Sequence, residues 1–341
     1  KIMELLKNMK YASFTSDLWS SINNTDYLSI TCHFINEEFV RENLLLEVIP
    51  FKPLFHTSDE IYMFTMETLE KWGLDEEKIH VYLRDNAANM EKAFSNKQFY
   101  TFGCFTHSLQ LVINDVICKQ KEHEDLFKKV RKIVGHFKHS IASNKLLKNY
   151  QKQEKLPEHK LIQDVTTRWN SKYLMINRFL EQKKCVIGLG PYIRLDVILT
   201  SDEWSMLAEI SKVLEIFHTV TLTLSKEASS LSEVIPVLRC LTTYLQKEYN
   251  LNQSSFSEKL LLSIQKRFPN YEKTKLLIRS TILDPRFKDK VFSEENEKII
   301  AVNDLKQELE AVYNSWPNIV STSYEQEIST NSIPILKKIF I

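Results

Sequence analysis

KIHVYLRDNAANM, Lys78–Met90, opens on a short apolar run and ends in a helical one. IHVYL has the β-branched and aromatic make-up of a strand. DNAANMEKAF, Asp85–Phe94, has the pattern of the helix that follows. Asp85 stands at the junction and admits two readings. It is either an N-cap accepting from a free amide at the helix start, or a carboxylate placed to hold a metal ion.

Upstream, ASFTSDLWSS (Ala12–Ser21) reads as a strand that ends in polar residues, and DYLSITCHFI (Asp26–Ile35) as a second. Phe39–Ile49, with Leu44, Leu45, Leu46, Val48 and Ile49, reads as a third. Only INNT and NEE separate these runs. Connections that short favour antiparallel neighbours, hence a meander. Pro50 and Pro53 then break the chain. HTSDEIYMFTMETLEKWGL (His56–Leu74) reads as a helix, with Thr57 or Ser58 as N-cap and Gly73 as stop. Ile61, Phe64, Thr65, Leu69 and Trp72 recur at helical spacing. With a further apolar element at 100–104, the order is β-β-β-α-β-α and a last strand. A mixed sheet of this kind, three-strand meander first, is the ribonuclease H-like arrangement.

From His107 onward nearly everything reads as helical, with runs at Leu207–Leu224, Val234–Tyr249 and Ser257–Arg267. Breaks are expected at GLGP (188–191), SKEASS, NLNQSS, FPNYEKT and LDPRFKDK. The expectation is α/β plus all-α: a core over residues 1–168 and a long all-helical insertion over 169–341. STSYEQEISTNSIP (321–334) is polar and is expected to be poorly ordered.

The chain has 341 residues and a net charge of +1, so any affinity for nucleic acid must come from a local patch. With five glycines it contains neither GxGxxG nor a Walker A loop. Its five cysteines, Cys32, Cys104, Cys118, Cys185 and Cys240, are widely spaced and odd in number. That pattern suits reduced thiols in the nucleus or cytosol. No apolar run approaches the roughly 20 residues that cross a bilayer. KIMELLKNMK lacks the apolar core of a signal peptide. A start at Lys1 suggests a segment of a longer chain.

Asp17 and Asp85 each fall at or just past a strand end. In a ribonuclease H-like sheet the first and fourth strands are neighbours, so their ends would bring the two carboxylates together. Such a pair ionises fully only beside a cation, and Mg²⁺ or Mn²⁺ with oxygen ligands supplies one. Asp17 could equally be a solvated strand-end residue. Cys104 and His107 share a three-residue spacing with His136 and His139, a weak zinc pattern without paired cysteines. His107 also opens an amphipathic helix. Trp169 lies on one helical face with Tyr173, Ile176 and Leu180. It is either a core residue or a flat aromatic for a nucleobase, with Arg168 at a phosphate. Between Lys119 and Lys155, ten lysines and Arg131 stand against four acids, a net +7. Lys128, Lys129, Arg131 and Lys132 are its candidate DNA contacts, unless the run is simply a solvated helix face.

TSDLWSS, YLSITCHFI, RDNAANM, CFTHSLQLVIND, FKHS, LIQDVTTRWNS, SKEASSLSEVIPVL and LDPRFK, in this order, resemble the hAT superfamily of transposases. They are most similar to its domesticated zinc finger BED domain-containing members, and the similarity runs over nearly the whole chain. The resemblance implies a ribonuclease H-like core interrupted by an all-α insertion. For active members it implies cut-and-paste transposition by a metal-dependent Asp-Asp-Glu triad. Asp17 and Asp85 match the first two acids, Cys104 and His107 the Cys-x-x-His motif near the active site, and Trp169 the tryptophan that stacks on a flipped base. No residue matches the Glu: Glu308 and Glu310 lie in insertion-type helices. The family's dimerisation region and BED zinc finger are not matched either, so zinc is expected only in a finger outside this chain.

Three functions follow as expectations. The first is a nuclear DNA-binding, regulatory protein that no longer transposes, oligomerising through a C-terminal region outside this chain. The second is a segment of an active transposase, and the third a helical scaffold for protein partners.

Overall fold

The structure is a computed structural model that describes residues 2–166, 168–292 and 295–315. The elements in order are α1 (Ile2–Lys7), β1 (Ala12–Ser20), β2 (Asp26–Ile35), β3 (Arg41–Pro50), α2 (Ser58–Glu70), β4 (Ile79–Arg84), α3 (Ala88–Phe94) and β5 (Tyr100–Gly103). Then come α4 (Phe105–Ile117), α5 (Lys121–His139), α6 (Ile141–Gln153), α7 (Trp169–Glu181), α8 (Lys183–Ile193) and α9 (Ser201–Leu224). The last are α10 (Val234–Asn252), α11 (Ser255–Arg267), α12 (Lys275–Leu283) and α13 (Glu295–Ser315). The chain packs as two compact units, one of residues 2–108, 227–236 and 270–315, the other of 109–226 and 237–269. Packing thus divides the chain at other points than the 168/169 boundary read from sequence. The expectation for 321–334 lies outside the described residues.

The first unit is built on a mixed five-stranded sheet of order β3-β2-β1-β4-β5. β1, β2 and β3 form the antiparallel meander. β4 runs parallel to β1 and β5 parallel to β4, which requires crossovers, supplied by α2 and α3. Alternation explains which face is dry. Ala12 and Phe14 of β1 and Leu28, Ile30, Cys32 and Phe34 of β2 are buried against Ile61 and Leu69 of α2 and Met90 and Phe94 of α3. The Tyr82 and Phe94 rings stack at 4.2 Å. Full burial of each such side chain contributes about 1.5–3 kcal/mol. The third strand starts two residues later than read from sequence, because Phe39 sits in the β2–β3 turn at φ 59°.

Segments far along the chain belong to this unit. Asn43 Nδ2 of β3 donates to Glu227 at 3.2 Å, and Arg41 to the Ser229 carbonyl at 3.1 Å. Arg286 Nη1 donates to Glu233 at 2.9 Å and Nη2 to Asp284 at 2.7 Å, while Ser232 donates to Asp284 at 2.6 Å. The motifs SKEASSLSEVIPVL and LDPRFK are therefore two sides of one ion cluster. Glu308 of α13 is committed to Arg279 and, at 3.4 Å, to Lys275.

The second unit contains only helices among the described residues. α5 buries Leu126, Phe127, Val130, Ile133, Val134 and Phe137 along one stripe. Phe179 of α7 stacks on Trp204 of α9 at 4.9 Å. The expected break at GLGP does not occur: α8 runs through Pro191 to Ile193 and stops at Arg194, in the left-handed region at φ 46°. Gly188 is there for a close approach, since a Cβ would stand 2.2 Å from the Tyr150 hydroxyl of α6.

Candidate active site

The parallel pairing of β1 with β4 sets Thr15 opposite Leu83. Two residues further along each chain stand Asp17, exposed and still inside β1, where it pairs with Ser29 of β2 and is not the strand-end residue expected, and Asp85, half-buried and just past the end of β4. Neighbouring strands are about 4.8 Å apart, and the two acids follow the last paired residues of two such strands. In the described residues the Asp17 carboxylate has no partner. Asp85 Oδ1 accepts from the Ala87 amide at 2.8 Å, which closes an Asx turn. Asp85 is therefore not the helix cap: α3 starts at Ala88 with Ala87 as its N-cap, and Ala87 has no side-chain bond to give.

The neighbours of Asp85 fix the turn. Arg84 Nη1 donates to the Asp85 carbonyl at 2.9 Å. Arg84 is 7% exposed, and burial holds its pKa below the usual guanidinium value, opposed by Glu91 and Asp85. Asn86 Nδ2 donates to the Cys104 carbonyl at 3.2 Å and to Ser108 Oγ at 3.0 Å. The Cys104 amide returns a bond to the Arg84 carbonyl at 2.6 Å. Gly103 makes this approach possible, because a Cβ there would stand 1.8 Å from Asn86 Oδ1. Asn89 Nδ2 donates to the His56 carbonyl at 2.9 Å. His56 Nε2 in turn lies 3.0 Å from Asp26, the first residue of β2, which also accepts from Ser20. The Ser20 hydrogen bond, opposed by desolvation and aided by His56, holds the Asp26 carboxyl below its ordinary value. Asp26 thus bridges Ser20 and His56.

Cys104 thus stands at the end of β5, beside the Asp85 turn, with Sγ 3.1 Å from Thr106 Oγ1. His107 is half-buried on α4. Among the described residues no three His, Cys, Asp or Glu side chains are grouped to hold a metal ion, and the His136 ring bonds to Ser143 at 3.0 Å instead. The acidic edge offers two carboxylates, one unpartnered and one with a single oxygen engaged. Hard oxygen donors of this kind suit Mg²⁺ or Mn²⁺.

In the helical unit Trp169 is 2% exposed and opens α7 inside the core, whereas Arg168 is exposed. The candidate basic contacts are paired. Lys128 bonds to Glu124 at 2.8 Å, Lys129 to Glu203 at 2.5 Å and Lys132 to Asp196 at 3.2 Å. Arg131 holds the fully buried Asp164 carboxylate at 2.8–2.9 Å through Nε and Nη2. Of the four candidates, Lys129, Arg131 and Lys132 are answered by acids outside the stretch and Lys128 by acids within it. Sequence reading missed Arg84, Asn86, Asn89, Asp26 and His56. The one local sign was an arginine closing the otherwise apolar run IHVYLR.

Residues 15–98 match the model of the ZBED1 RNase-like domain, and residues 102–213 that of the ZBED1 RNase-like helical domain. The chain belongs to the hAT-transposase-derived family of zinc finger BED domain-containing proteins. It is 25% identical to human "Zinc finger BED domain-containing protein 4", over 94% of this chain and 28% of that protein. It is 24% identical to "Putative AC transposase" of Zea mays, over 94% of this chain and 42% of that protein. Against "Putative transcriptional regulator tpeD" of Talaromyces stipitatus it is 23% identical, over 72% of this chain and 33% of that protein. The chain therefore spans less than half the length of each of these relatives. Among the described residues no helix is long and apolar enough to cross a membrane.

Proposed function

We infer that the chain is part of a nuclear DNA-binding protein that regulates transcription and has lost transposition. In this reading the sheet belongs to a ribonuclease H-like core inherited as residues 1–168, and the helical insertion is inherited as 169–341, a division by descent that differs from the division by packing. What supports it is the match of residues 15–98 and 102–213 to the two ZBED1 domain models, on a sheet whose first and fourth strands pair in parallel. The names of the relatives, BED zinc finger proteins and a transcriptional regulator, support the regulatory half.

Asp17 and Asp85 would hold Mg²⁺ or Mn²⁺. A bound ion would neutralise the pair and supply Lewis acidity toward a phosphate oxygen. The chain's own residues do the positioning: the Ala87 amide fixes the Asp85 carboxylate, Arg84 holds the Asp85 carbonyl, and Asn86 anchors the turn to Cys104 and Ser108, with His107 one turn along α4. Arg168, exposed and free of carboxylate partners among the described residues, is the best-placed phosphate contact. Trp169 would have to leave the core to stack on a base. Oligomerisation would use segments of a longer protein.

The test is binding of fluorescent duplex DNA across a salt series, with Mn²⁺ titrated calorimetrically. The expected result is a negative log–log salt slope and Mn²⁺ binding that falls in Asp17→Asn. DNA affinity indifferent to salt would sink the DNA reading. A second reading, a segment of an active transposase, is favoured by retention of both acids in a chain similar to an AC transposase. Metal-dependent strand cleavage lost in Asp85→Asn would establish it.

A further inference from the structure

At the end of the sheet unit where β1 begins, α1 and the β2–β3 turn enclose a cleft of about 400 Å³. Its floor is apolar, made by Leu5, Met9, Phe34 and Ile35. Its rim is acidic: Glu4, Glu37 and Glu38 are exposed, against Lys10 alone. The three glutamates have no cationic partner among the described residues. The turn beside them is built to show apolar surface. Asn36 holds it through the Val40 amide, bonded to Oδ1 at 2.9 Å, and the Phe39 amide, bonded to the carbonyl at 3.2 Å. That geometry puts Phe39 at φ 59°, a conformation suited to Gly or Asn and strained for a bulky side chain. Yet Phe39 is 56% exposed and Val40 55% exposed. A strained, solvent-facing phenylalanine has no return within this unit. It gains one when covered.

We propose that this cleft is a docking site for a peptide segment of a partner protein in which large apolar side chains stand next to lysine or arginine. Charge complementarity selects that occupant. The floor takes apolar side chains, Phe39 and Val40 extend the contact, and Glu37 and Glu38 meet the cations. The same rim repels the phosphates of nucleic acid, so the site is distinct from any DNA contact.

The test uses the 341-residue chain and two fluorescein-labelled twelve-residue peptides, one alternating Leu with Arg and one alternating Leu with Glu, read by anisotropy. The Arg peptide is expected to bind and the Glu peptide not. The double variant Glu37→Lys, Glu38→Lys should weaken the Arg peptide by about tenfold or more. Glu37→Gln with Glu38→Gln should weaken it less, and Phe39→Asn should weaken it while far-UV circular dichroism is unchanged. Four results overturn the proposal: no binding of the Arg peptide, equal binding of both peptides, affinity unmoved by the changes at 37 and 38, or a concentration-dependent dimer abolished by those changes. The last would make the occupant a second copy of the chain.

Discussion

Asn86 donates through Nδ2 to Ser108 Oγ at 3.0 Å, and with this bond the turn after β4 is fastened to the start of α4. The fastening depends on the missing side chain at Gly103. Gly103→Ala would push a Cβ into Asn86 and is expected to destabilise the sheet unit by about 1–3 kcal/mol. Asn86→Ala loses two bonds and should cost a similar amount. Because the two act at one contact, the double variant should cost clearly less than the sum. Urea denaturation of the four proteins measures this, and strict additivity would refute the coupling.

The two roles of Asp85 separate by substitution. Asp85→Asn keeps an Oδ1 acceptor for the Ala87 amide, so its stability should stay within about 0.5 kcal/mol of wild type. Its Mn²⁺ affinity should fall about tenfold or more, because one charge is gone. Asp85→Ala should lose both, with about 1 kcal/mol of stability. Calorimetric titration and thermal melts distinguish the two. Equal Mn²⁺ binding in wild type and Asp85→Asn would remove Asp85 from the metal site.

Acid should loosen the cluster that joins LDPRFK to the Ser232–Glu233 segment. The Arg286 hydrogen bond, opposed by burial and aided by Ser232, holds the Asp284 carboxyl down at about 2. A carboxylate whose pKa is depressed on folding contributes stability above its unfolded pKa and loses it as pH falls through the folded value. The window is therefore from about pH 4 down to about pH 2. Since Arg286 is half exposed, the contribution is discounted to about 1 kcal/mol. Urea midpoints should fall across this window more steeply in wild type than in Asp284→Asn.

The basic stretch should respond unevenly. Arg131→Ala strands a buried Asp164 and is expected to cost about 3–5 kcal/mol. Trp169→Ala opens a core cavity at a similar cost. Arg168→Ala touches nothing buried and should leave stability within about 0.5 kcal/mol. It should nonetheless make the DNA salt slope shallower by about one unit. A slope that does not move would remove Arg168 from the phosphate contacts.

Much of the architecture was legible in the chain. The alternation in DYLSITCHFI, the short INNT and NEE connections and the helical spacing of Ile61, Thr65 and Leu69 determine the meander and its first crossover, because each pattern has a period that one kind of element alone can bury. Both acids were read as strand-end residues, which holds for Asp85, just past β4, but not for Asp17, which lies inside β1. Their approach was expected only through the ribonuclease H-like strand order, because it depends on β4 pairing with β1, a contact across more than sixty residues that no local pattern encodes. GLGP shows the converse. It looks like a break, but tertiary packing of Tyr150 gives Gly188 a place inside a helix. Burial of Trp169 and the pairing of Arg131 with Asp164 were likewise settled by packing. A sequence shows that a charge or a ring is present, but only the fold decides what faces it. RDNAANM carried the strand, the turn and the acid in its own letters. That the turn after Asp85 is tied through Asn86 to Cys104 and Ser108, and that β4 lies beside β1, belongs to the tertiary structure, because those partners come from other elements.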